Sequence, residues 1–540
     1  MEIKSKNIIN SRGVNISTIF ISLIIVVPLI ALIIYVFKVD FDNFYYLWNN
    51  LLVDYSLSTI YLVLLTSFFS LIFGIFPAWF ISTSRFKGRK LYDILLYLPL
   101  AIPTYIMAFT YSDLLSYTGP IQSFTRKHMP EISNILNQDY LQLEVLAIIM
   151  GLALYPYIYT ACRISFSLIG SNYVDLCRNL GMSQMKTFFR IVLPISRVAI
   201  FSGLFLVIME VLNEYGAVKY FGVNTFTSGI FRSWNSMQDF DTASLLAVSL
   251  FILVIIFFFL ERFTSSKYQF NYTVNTNQKS NFSLTNSRRL IVHLICLTPI
   301  IFGFIIPILF IINNVIGELS GINFSKLIDL IFNTLSVSIA SALIIVLIAV
   351  LFQFFRKVSN SKVVIFFNDM ISLTYALPGA VIGLSLIILV TSFPKLINSS
   401  IFIGSFFLLI YAYSIRHMAV GISPLKSSFE KHPSSYDDTG VNLGLTPFKL
   451  FKKIHLPINK SAIIIAFLLC FIDIMKELPI TLILRPFNFD TLAVSAYIYA
   501  SEERMFEAAA PSIAIVMVGL LPIYFLSRMI RESRPGANIW

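Results

Sequence analysis

Long apolar runs constrain this chain more than any other feature of its sequence. Each run has roughly the 20 residues that a helix needs to cross the hydrocarbon core of a bilayer. They begin near Ser17, Ser56, Tyr92, Gln142, Val198, Thr242, Leu290, Ile328, Val363, Ser400, Ser461 and Ala508. The runs predict an all-α polytopic membrane protein with about 12 transmembrane helices.

Charge is scarce and unevenly placed. Hydrophobic residues make up 57% of the chain and charged residues 13%, which leaves little room for a large soluble domain. Most of the 40 lysine and arginine residues fall in alternate inter-span segments, and basic segments stay on the cytoplasmic side. We therefore expect both termini to be cytoplasmic. We expect the net charge of +12 to reflect this topology, with membrane lipid and not nucleic acid as a partner.

Two polar, basic segments interrupt the apolar pattern and align with each other without a gap. The first islet (residues 173–197) reads YVDLCRNLGMSQMKTFFRIVLPISR, and the second islet (residues 436–460) reads YDDTGVNLGLTPFKLFKKIHLPINK. The alternating basic segments include both, so both islets are expected on the cytoplasmic face. Two equivalent elements on one face suit docking onto a twofold-symmetric partner.

The islets belong to a longer repeat. STIYL at Ser58 matches NTLSV at Asn333, and the offset between the copies falls from 275 residues there to 263 at the islets. An Asn- and Ser-rich linker separates the copies. We predict a first half (residues 1–260), a cytoplasmic linker (261–289) and a second half (290–540). Six spans per half make the repeat parallel.

The islets resemble the EAA loop of the permeases of binding-protein-dependent ABC importers. That motif has Gly, then nine intervening residues, then Ile-x-Leu-Pro, and both islets keep this spacing. An aspartate stands in each islet where the family has glutamate. The residues matched to ATPase coupling are Asp175, Gly181, Ile191, Pro194, Asp438, Gly444, Ile454 and Pro457.

The loop chemistry suits docking. Gly181 and Gly444 permit a turn that a Cβ would resist, and Pro194 and Pro457 are expected in the first turn of the next spanning helix. His455 of the second islet is expected to face solvent.

The resemblance implies a type I ABC importer permease in a bacterial inner membrane. A P-loop needs Gly-Lys, and that dipeptide occurs nowhere in the chain. The chain is therefore expected to be no enzyme and to bind no cofactor, with ATP-Mg held by a separate ATPase. Because both halves are fused, one chain is expected to pair with two ATPase copies. A periplasmic or lipid-anchored binding protein would deliver the cargo.

Over essentially its whole length the chain is most similar to fused permeases of ferric-iron importers. The segments from Asn213 and from Lys476 carry this resemblance. Ferric iron delivered by its binding protein is the expected cargo. Permeases for thiamine, polyamines or phosphonates remain alternatives. A secondary transporter driven by an ion gradient is the alternative of a different class, although it gives no reason for two EAA loops.

Four carboxylates follow the islets at equivalent positions: Glu210, Glu214, Asp473 and Glu477. Each half places two of them one helical turn apart, and ionisable groups within spans are candidates for function. We expect them on the substrate path, since a trivalent cation prefers oxygen ligands. The alternative is a structural role at outer helix ends, paired with Lys219, Lys476 or Arg485. No metal site is assigned, because the histidines are isolated.

Overall fold

Helices make up almost all of the computed structural model, which describes residues 11–39, 41–131, 137–266, 282–283, 286–359, 361–371, 374, 377–392, 402–433 and 435–532. The all-α prediction is confirmed. Most of the predicted linker and both extreme termini lie outside the described residues, so their predicted cytoplasmic position stays a prediction.

The first half begins with a helix that is apolar all round and ends with a helix that runs to Ser266, beyond the predicted boundary at residue 260. Its helices are α1 Ser11–Val36, α2 Phe41–Leu47, α3 Val53–Thr83, α4 Arg89–Leu95, α5 Thr104–Leu115, α6 Pro120–His128, α7 Leu143–Asn179, α8 Gln184–Ile195, α9 Arg197–Asn213, α10 Gly216–Tyr220, α11 Phe226–Phe231 and α12 Phe240–Ser266.

The second half repeats this order of long and short helices. Its helices are α13 Asn286–Ile300, α14 Ile306–Gly317, α15 Phe324–Ser359, α16 Lys362–Ile371, α17 Gly379–Ser392, α18 Phe406–Lys431, α19 Ser435–Asn442, α20 Pro447–Ile458, α21 Lys460–Met475, α22 Pro479–Leu484, α23 Leu492–Ser501 and α24 Met505–Glu532. A π-helical turn, Ile301–Ile305, joins α13 to α14.

Eight helices of the described residues are long and apolar enough to cross a membrane, and the number is eleven if each sharply bent pair is one span. Two of the bent pairs are α8 with α9 and α20 with α21. The remaining predicted span, near Val363, corresponds to α16 and α17, and part of the chain between them is outside the described residues. The prediction of about 12 spans agrees with this architecture.

The first helix of each half packs against the other half. Helix α1 packs on α16 and α17 of the second half, and the Tyr411 hydroxyl on α18 donates to the Ile24 carbonyl. Conversely, α13 and α14 contact α3 and α5 of the first half, where the Tyr111 hydroxyl donates to the Phe302 carbonyl. The exchange holds the halves together by buried apolar surface. It leaves the later helices of each half to face each other.

The tightest packing is between α3 and α7. A Cβ at Gly74 would lie 2.9 Å from the Ile158 side chain, and one at Gly151 would lie 2.7 Å from the Cβ of Phe69. Small residues let helices approach closely in lipid, where dispersion contacts replace the hydrophobic effect between helices. These two glycines therefore set the distance between the helices that lead to the first islet.

A buried ion pair fixes the short helix α4 against α7. Arg163 Nε and Nη2 lie 3.2 Å from the two oxygens of Asp93, and the Tyr159 hydroxyl donates to the same carboxylate at 2.6 Å. Arg163 is buried. The corresponding positions of the second half hold Asn368 and Lys426, so the two halves differ here in charge.

A two-residue parallel bridge ties the linker to the first half. Ser84–Arg85 (β1) directly follows α3 and pairs with Phe282–Ser283 (β2). The Ser84 hydroxyl also accepts from the Gln184 side chain at 3.2 Å, which places this bridge beside the first islet.

Candidate functional site

The first part of each islet is a helix that ends on glycine with a positive φ. Gly181 has φ +74° and Gly444 has φ +73°. The amide that follows each glycine closes the turn: Met182 N donates to the Cys177 carbonyl at 2.9 Å, and Leu445 N donates to the Gly440 carbonyl at 3.0 Å. This is the Schellman end of a helix, which glycine stabilises because it has no Cβ. The predicted need for glycine at both positions is confirmed.

The second part of each islet is a short helix with a π-helical turn at its centre. The Ser183 hydroxyl caps α8 and the Thr446 hydroxyl caps α20, each by accepting from the amide three residues on, at 3.4 Å. Each helix then meets the following spanning helix at a sharp bend, 73° in the first islet and 74° in the second. The two islets thus share one backbone shape.

The prolines lie elsewhere than predicted. Pro194 and Pro457 belong to the last turns of α8 and α20, and the spanning helices begin only after the bends at Ser196 and Asn459. A proline without an N–H leaves a carbonyl of the preceding turn unbonded. The π-helical turns Phe188–Val192 and Phe451–His455 directly precede these segments and reorganise that ladder.

Aromatic side chains anchor the first islet. The Phe188 ring lies 5.1 Å from Trp79 on α3 and 6.2 Å from Phe166 on α7, between ring centroids. Phe188 and Trp79 are almost fully buried. Val192, one turn further, is buried beside them and adds no polar group.

The second islet is anchored by rings and by a buried polar pair. His455 stacks on Phe429 with centroids 5.5 Å apart, and its Nε2 lies 2.7 Å from Asp437 Oδ1. A carboxylate only accepts, so Nε2 carries the proton of this bond. His455 is 4% exposed, and the prediction that it faces solvent is wrong. It is buried because the islet helix turns this side towards Phe354 and Phe429.

The remaining coupling residues have unequal surroundings. Ile191 and Ile454 are half-buried, whereas Pro194 and Pro457 are exposed. Asp438 is half-buried on α19. Asp175 lies in the last part of α7, and its side chain is outside the described part of the structure.

Each islet presents equivalent apolar side chains outwards. Leu180 and Leu443, just before the glycines, are 71% and 76% exposed. Met185 and Phe448, at the start of the second helix, are also exposed and also correspond. A repeated, exposed apolar pair beside basic residues is the kind of surface that a protein partner covers.

All four predicted carboxylates line one cavity between the halves. The cavity has a volume of about 60 Å³, room for a few water molecules. Besides the carboxylates its lining includes Tyr105, Tyr157, Asn213, Arg416, His417 and Lys476. The sequence placed two carboxylates on each of two equivalent helices, and the fold brings the four together.

Glu214 and Glu477 also have a structural role, because each caps the short helix that follows it. Glu214 Oε1 accepts from the Ala217 amide at 2.9 Å, and Glu477 Oε1 accepts from the Ile480 amide at 3.4 Å. The Thr104 hydroxyl donates to the other oxygen of Glu214. Both carboxylates are therefore held in place at the broken part of their spans.

Two cations of the second half complete the lining. Lys476 Nζ lies 3.2 Å from Asp473, and Arg416 Nε lies 3.4 Å from Glu477. Arg416 also donates to the Asn213 side-chain oxygen, which accepts from the Gly379 amide at 2.7 Å as well. Asn213 thereby joins the first half to the second.

Of the three structural partners considered from sequence, only Lys476 pairs with a predicted carboxylate. Arg485 pairs with Asp490 instead, and Lys219 is exposed.

The sequence analysis missed Arg416, His417 and Asn213. An arginine within an apolar span was the available signal for Arg416, since such charges are costly in lipid. His417 follows it directly. Asn213 had no signal of its own, because its counterpart in the second half is Lys476.

The cavity is not a preformed metal centre. Among the residues that the structure describes, no three His, Cys, Asp or Glu side chains lie close enough together to hold a metal ion.

The known proteins compared with this chain include several transport permeases. Over 84% of the chain it is 25% identical to a Fe(3+)-transport system permease protein of Haemophilus influenzae, 86% of which is covered. A sulfate transport system permease protein of Salmonella typhimurium is 26% identical over 44% of the chain and 84% of that relative. A molybdenum transport system permease protein of Escherichia coli is 28% identical over 33% of the chain and 72% of that relative.

Residues 70–263 match the family of binding-protein-dependent transport system inner membrane components. This range contains the first islet and the carboxylates Glu210 and Glu214. Members of such a family work with a substrate-binding protein and an ATPase. The chain is a multi-span membrane protein of which residues 70–263 match this family, and over most of its length it is similar to a transport permease.

Proposed function

We propose that this chain is the complete membrane passage of an ATP-driven importer of ferric iron, with each islet docked on one of two ATPase copies. The observation that carries the proposal is the identical backbone of the islets: the same glycine φ, the same capped helix and the same bend. Two copies of one docking shape match a partner that is itself a symmetric dimer.

The outward side chains of the islets support this role. Leu180 with Met185, and Leu443 with Phe448, give each islet an apolar edge that a groove of an ATPase would bury. Both islets lead through a bend into α9 or α21, whose far ends carry the cavity carboxylates. A movement of an islet would therefore be transmitted to the cavity along one helix, α9 or α21.

The stoichiometry follows from the fused layout. The sulfate transport system permease protein of Salmonella typhimurium is covered over 84% of its length by 44% of this chain, so somewhat less than half of the chain corresponds to most of that permease. We propose the division into residues 1–260, 261–289 and 290–540, with both termini and both islets cytoplasmic. The ATPases, which hold ATP-Mg, would be separate subunits.

Ferric iron is supported by the relative that matches most of the chain and by the acidic excess of the cavity. Four carboxylates face two cations there, and oxygen donors suit a hard trivalent cation. The substrate path would comprise Glu210, Glu214, Asp473 and Glu477. A periplasmic or lipid-anchored ferric-binding protein would deliver the ion.

A second candidate function is import of an oxyanion such as sulfate or molybdate. Arg416 and Lys476 line the cavity, and guanidinium and ammonium groups are the usual binders of oxyanions. Sulfate and molybdenum permeases are among the relatives, each matching less than half of this chain.

Reconstitution tests the proposed function. The permease, its ATPase and its binding protein are placed in vesicles, and uptake of ⁵⁵Fe³⁺, sulfate and molybdate is measured with ATP and without any ion gradient. We expect ATP-dependent uptake of iron alone and a complex mass of one permease with two ATPases. Uptake driven by a gradient without ATP, or a complex with two permease chains, would contradict it.

A further inference from the structure

Both cations of the cavity come from the second half. Lys476 corresponds to Asn213 of the first half, and Arg416 corresponds to Ala153. The carboxylates, in contrast, are shared equally, two from each half. The cavity is therefore symmetric in its negative charges and asymmetric in its positive ones.

Each cation reaches from the second half towards the first. Lys476 bonds Asp473 at 3.2 Å and also interacts electrostatically with Glu210 of the first half. Arg416 bonds Glu477 and donates to Asn213 of the first half. The two side chains thus lie among the carboxylates, in the space that a cation crossing the cavity would occupy.

Two further groups in the lining have no hydrogen-bond partner among the described residues. They are the Tyr105 hydroxyl and both ring nitrogens of His417, and each residue is only 3% exposed. A buried polar group without a partner costs about 1–3 kcal/mol. Oxygen and imidazole donors that stay unpaired beside a cavity are available to a ligand.

We propose that Lys476 and Arg416 are resident counter-cations, which a positively charged cargo displaces from the four carboxylates as it passes, while Tyr105 and His417 supply additional donors. The inference rests on the proposed import of a cation. Four carboxylates facing one another without neutralising charge would repel and would be costly to bury, so the cavity needs cations of its own.

Displacement of these two cations by the cargo would also weaken a contact between the halves. Arg416 is part of the link between Asn213 and Glu477, so a cargo that takes its place at the carboxylates also loosens a contact between the halves. Lys476, on a flexible stem and 18% exposed, is the more easily displaced of the two. Entry of the cargo and opening of the halves would then be one event.

An oxyanion would use the same cavity in the opposite way. It would be held by Arg416 and Lys476 themselves, and neutralising Lys476 would remove a binding group. If the cargo is a cation, neutralising Lys476 instead removes a positive charge that competes with the cargo for the carboxylates. The Lys476→Met variant therefore separates the two cases, with Lys476→Arg as the variant that keeps the charge and Lys219→Met as the control at an exposed lysine.

The first measurement is ATP-driven ⁵⁵Fe³⁺ uptake per permease by the reconstituted complex. We expect Lys476→Met to keep at least half of the parent's uptake and to leak iron when ATP is absent, whereas Lys476→Arg and Lys219→Met match the parent. Loss of uptake in Lys476→Met that Lys476→Arg restores would overturn the proposal. If Lys476→Met is poorly produced, Lys476→Gln, which removes the same charge and leaves all four carboxylates in place, is measured instead.

The second measurement uses Tb³⁺, a hard trivalent probe whose luminescence nearby tyrosines sensitise, on the detergent-solubilised complex. Removal of a resident charge a few ångströms away should tighten Tb³⁺ binding roughly tenfold in Lys476→Met, and Glu210→Gln with Asp473→Asn should remove the signal. Unchanged Tb³⁺ affinity in Lys476→Met would overturn the proposal.

The Tb³⁺ measurement does not depend on transport. A parent complex that takes up sulfate or molybdate but no iron would refute the proposed function, and the Tb³⁺ result would then decide the role of the cavity cations separately.

Discussion

The first and second islets have one backbone and two different anchors. Position by position, Trp79, Phe166 and Phe188 of the first anchor correspond to Phe354, Phe429 and Phe451 of the second. Where the first islet has Val174 and Val192, the second has Asp437 and His455, which bond each other. The first anchor is thus apolar except for the indole N–H of Trp79, and the second contains a buried polar pair.

This difference distinguishes the features that shape the proposed docking surface of each islet from the residues that anchor the islet to the spanning helices. The glycine turn, the capped helix and the bend are the same in both islets, as the proposed docking of both on one symmetric partner requires. The residues beneath need to fill a similar volume, and a buried carboxylate or imidazole among them needs a hydrogen-bond partner. The anchors were therefore free to diverge as long as Asp437 and His455 remained together.

Equivalence of the two turns is the first point to test. Valine at Gly181 or at Gly444 would be forced to a φ near +74°, which costs about 1–3 kcal/mol of local strain for a β-branched residue. The turn would change shape, and ATP-driven uptake per permease should fall at least tenfold in both variants. Uptake and ATPase activity of the reconstituted complex are measured together, at matched abundance.

Gly88→Val is the matched control for that experiment. Gly88 also has a positive φ, +82°, but lies outside the islets. It should lower stability without uncoupling ATP hydrolysis from uptake. A large loss at Gly444 with normal uptake at Gly181 would show that the islets are not equivalent.

The next contrast is the ion pair between Arg163 and Asp93 of the first half, whose equivalent positions in the second half hold Lys426 and Asn368. Arg163→Met leaves the partly buried Asp93 carboxylate without its guanidinium partner, which should cost about 3 kcal/mol because Tyr159 still donates to it and 27% of its side chain is exposed. Thermal unfolding of the purified permease in detergent measures the loss.

Arg163→Met combined with Asp93→Asn is the compensated variant of the same pair. It should recover most of the stability, because the second half has asparagine where the first has Asp93. A double variant as unstable as the single one would mean that the lost packing of the arginine stem, and not the unpaired charge, causes the effect.

The polar pair of the second islet gives a third contrast. His455→Val alone leaves Asp437, only 5% exposed, without its bond, and we expect a loss of about 3 kcal/mol. His455→Val with Asp437→Val gives the second islet the residues of the first and should restore most of that loss. A double-mutant cycle from the thermal unfolding of the four proteins yields the coupling energy. A coupling near zero would show that the pair does not hold the islet.

The general architecture was predictable because a bilayer restricts the chain to few solutions. Apolar runs of sufficient length become helices, and an offset that stays at 263 residues from the islets to the carboxylates marks equivalent segments. The positions of Pro194 and Pro457 were predicted wrongly, because the bend lies at Ser196 and Asn459, which have no distinctive local signal. The exchange of α1 and α13 between halves depends on packing alone, and periodicity does not encode it.

Residues of the candidate site were predictable from the sequence where the backbone or the chemistry requires one residue type. They were missed where their role depends on a contact with residues that are distant in sequence. Glycine at a positive φ is readable from spacing, and so are four carboxylates at equivalent positions. His455 was misjudged, because a basic loop indicates solvent while burial depends on Phe354 and Phe429, which are distant in sequence. Arg416 and Asn213 meet across the two halves, 203 residues apart, and no local pattern links them.

The smallest expected effect concerns the apolar anchor itself. Trp79→Phe gives the first islet the ring that Phe354 provides in the second. It removes ring area from a site that is 1% exposed, which destabilises, but it also removes the indole N–H, which is buried without a partner. These two effects oppose each other, so the stability should change by less than about 1 kcal/mol. Thermal unfolding beside the parent, with Trp234→Phe as a control at a half-buried tryptophan away from the islets, measures the difference. A loss of several kcal/mol would show that the first anchor depends on the shape of tryptophan, and that the two anchors are less interchangeable than their matching positions suggest.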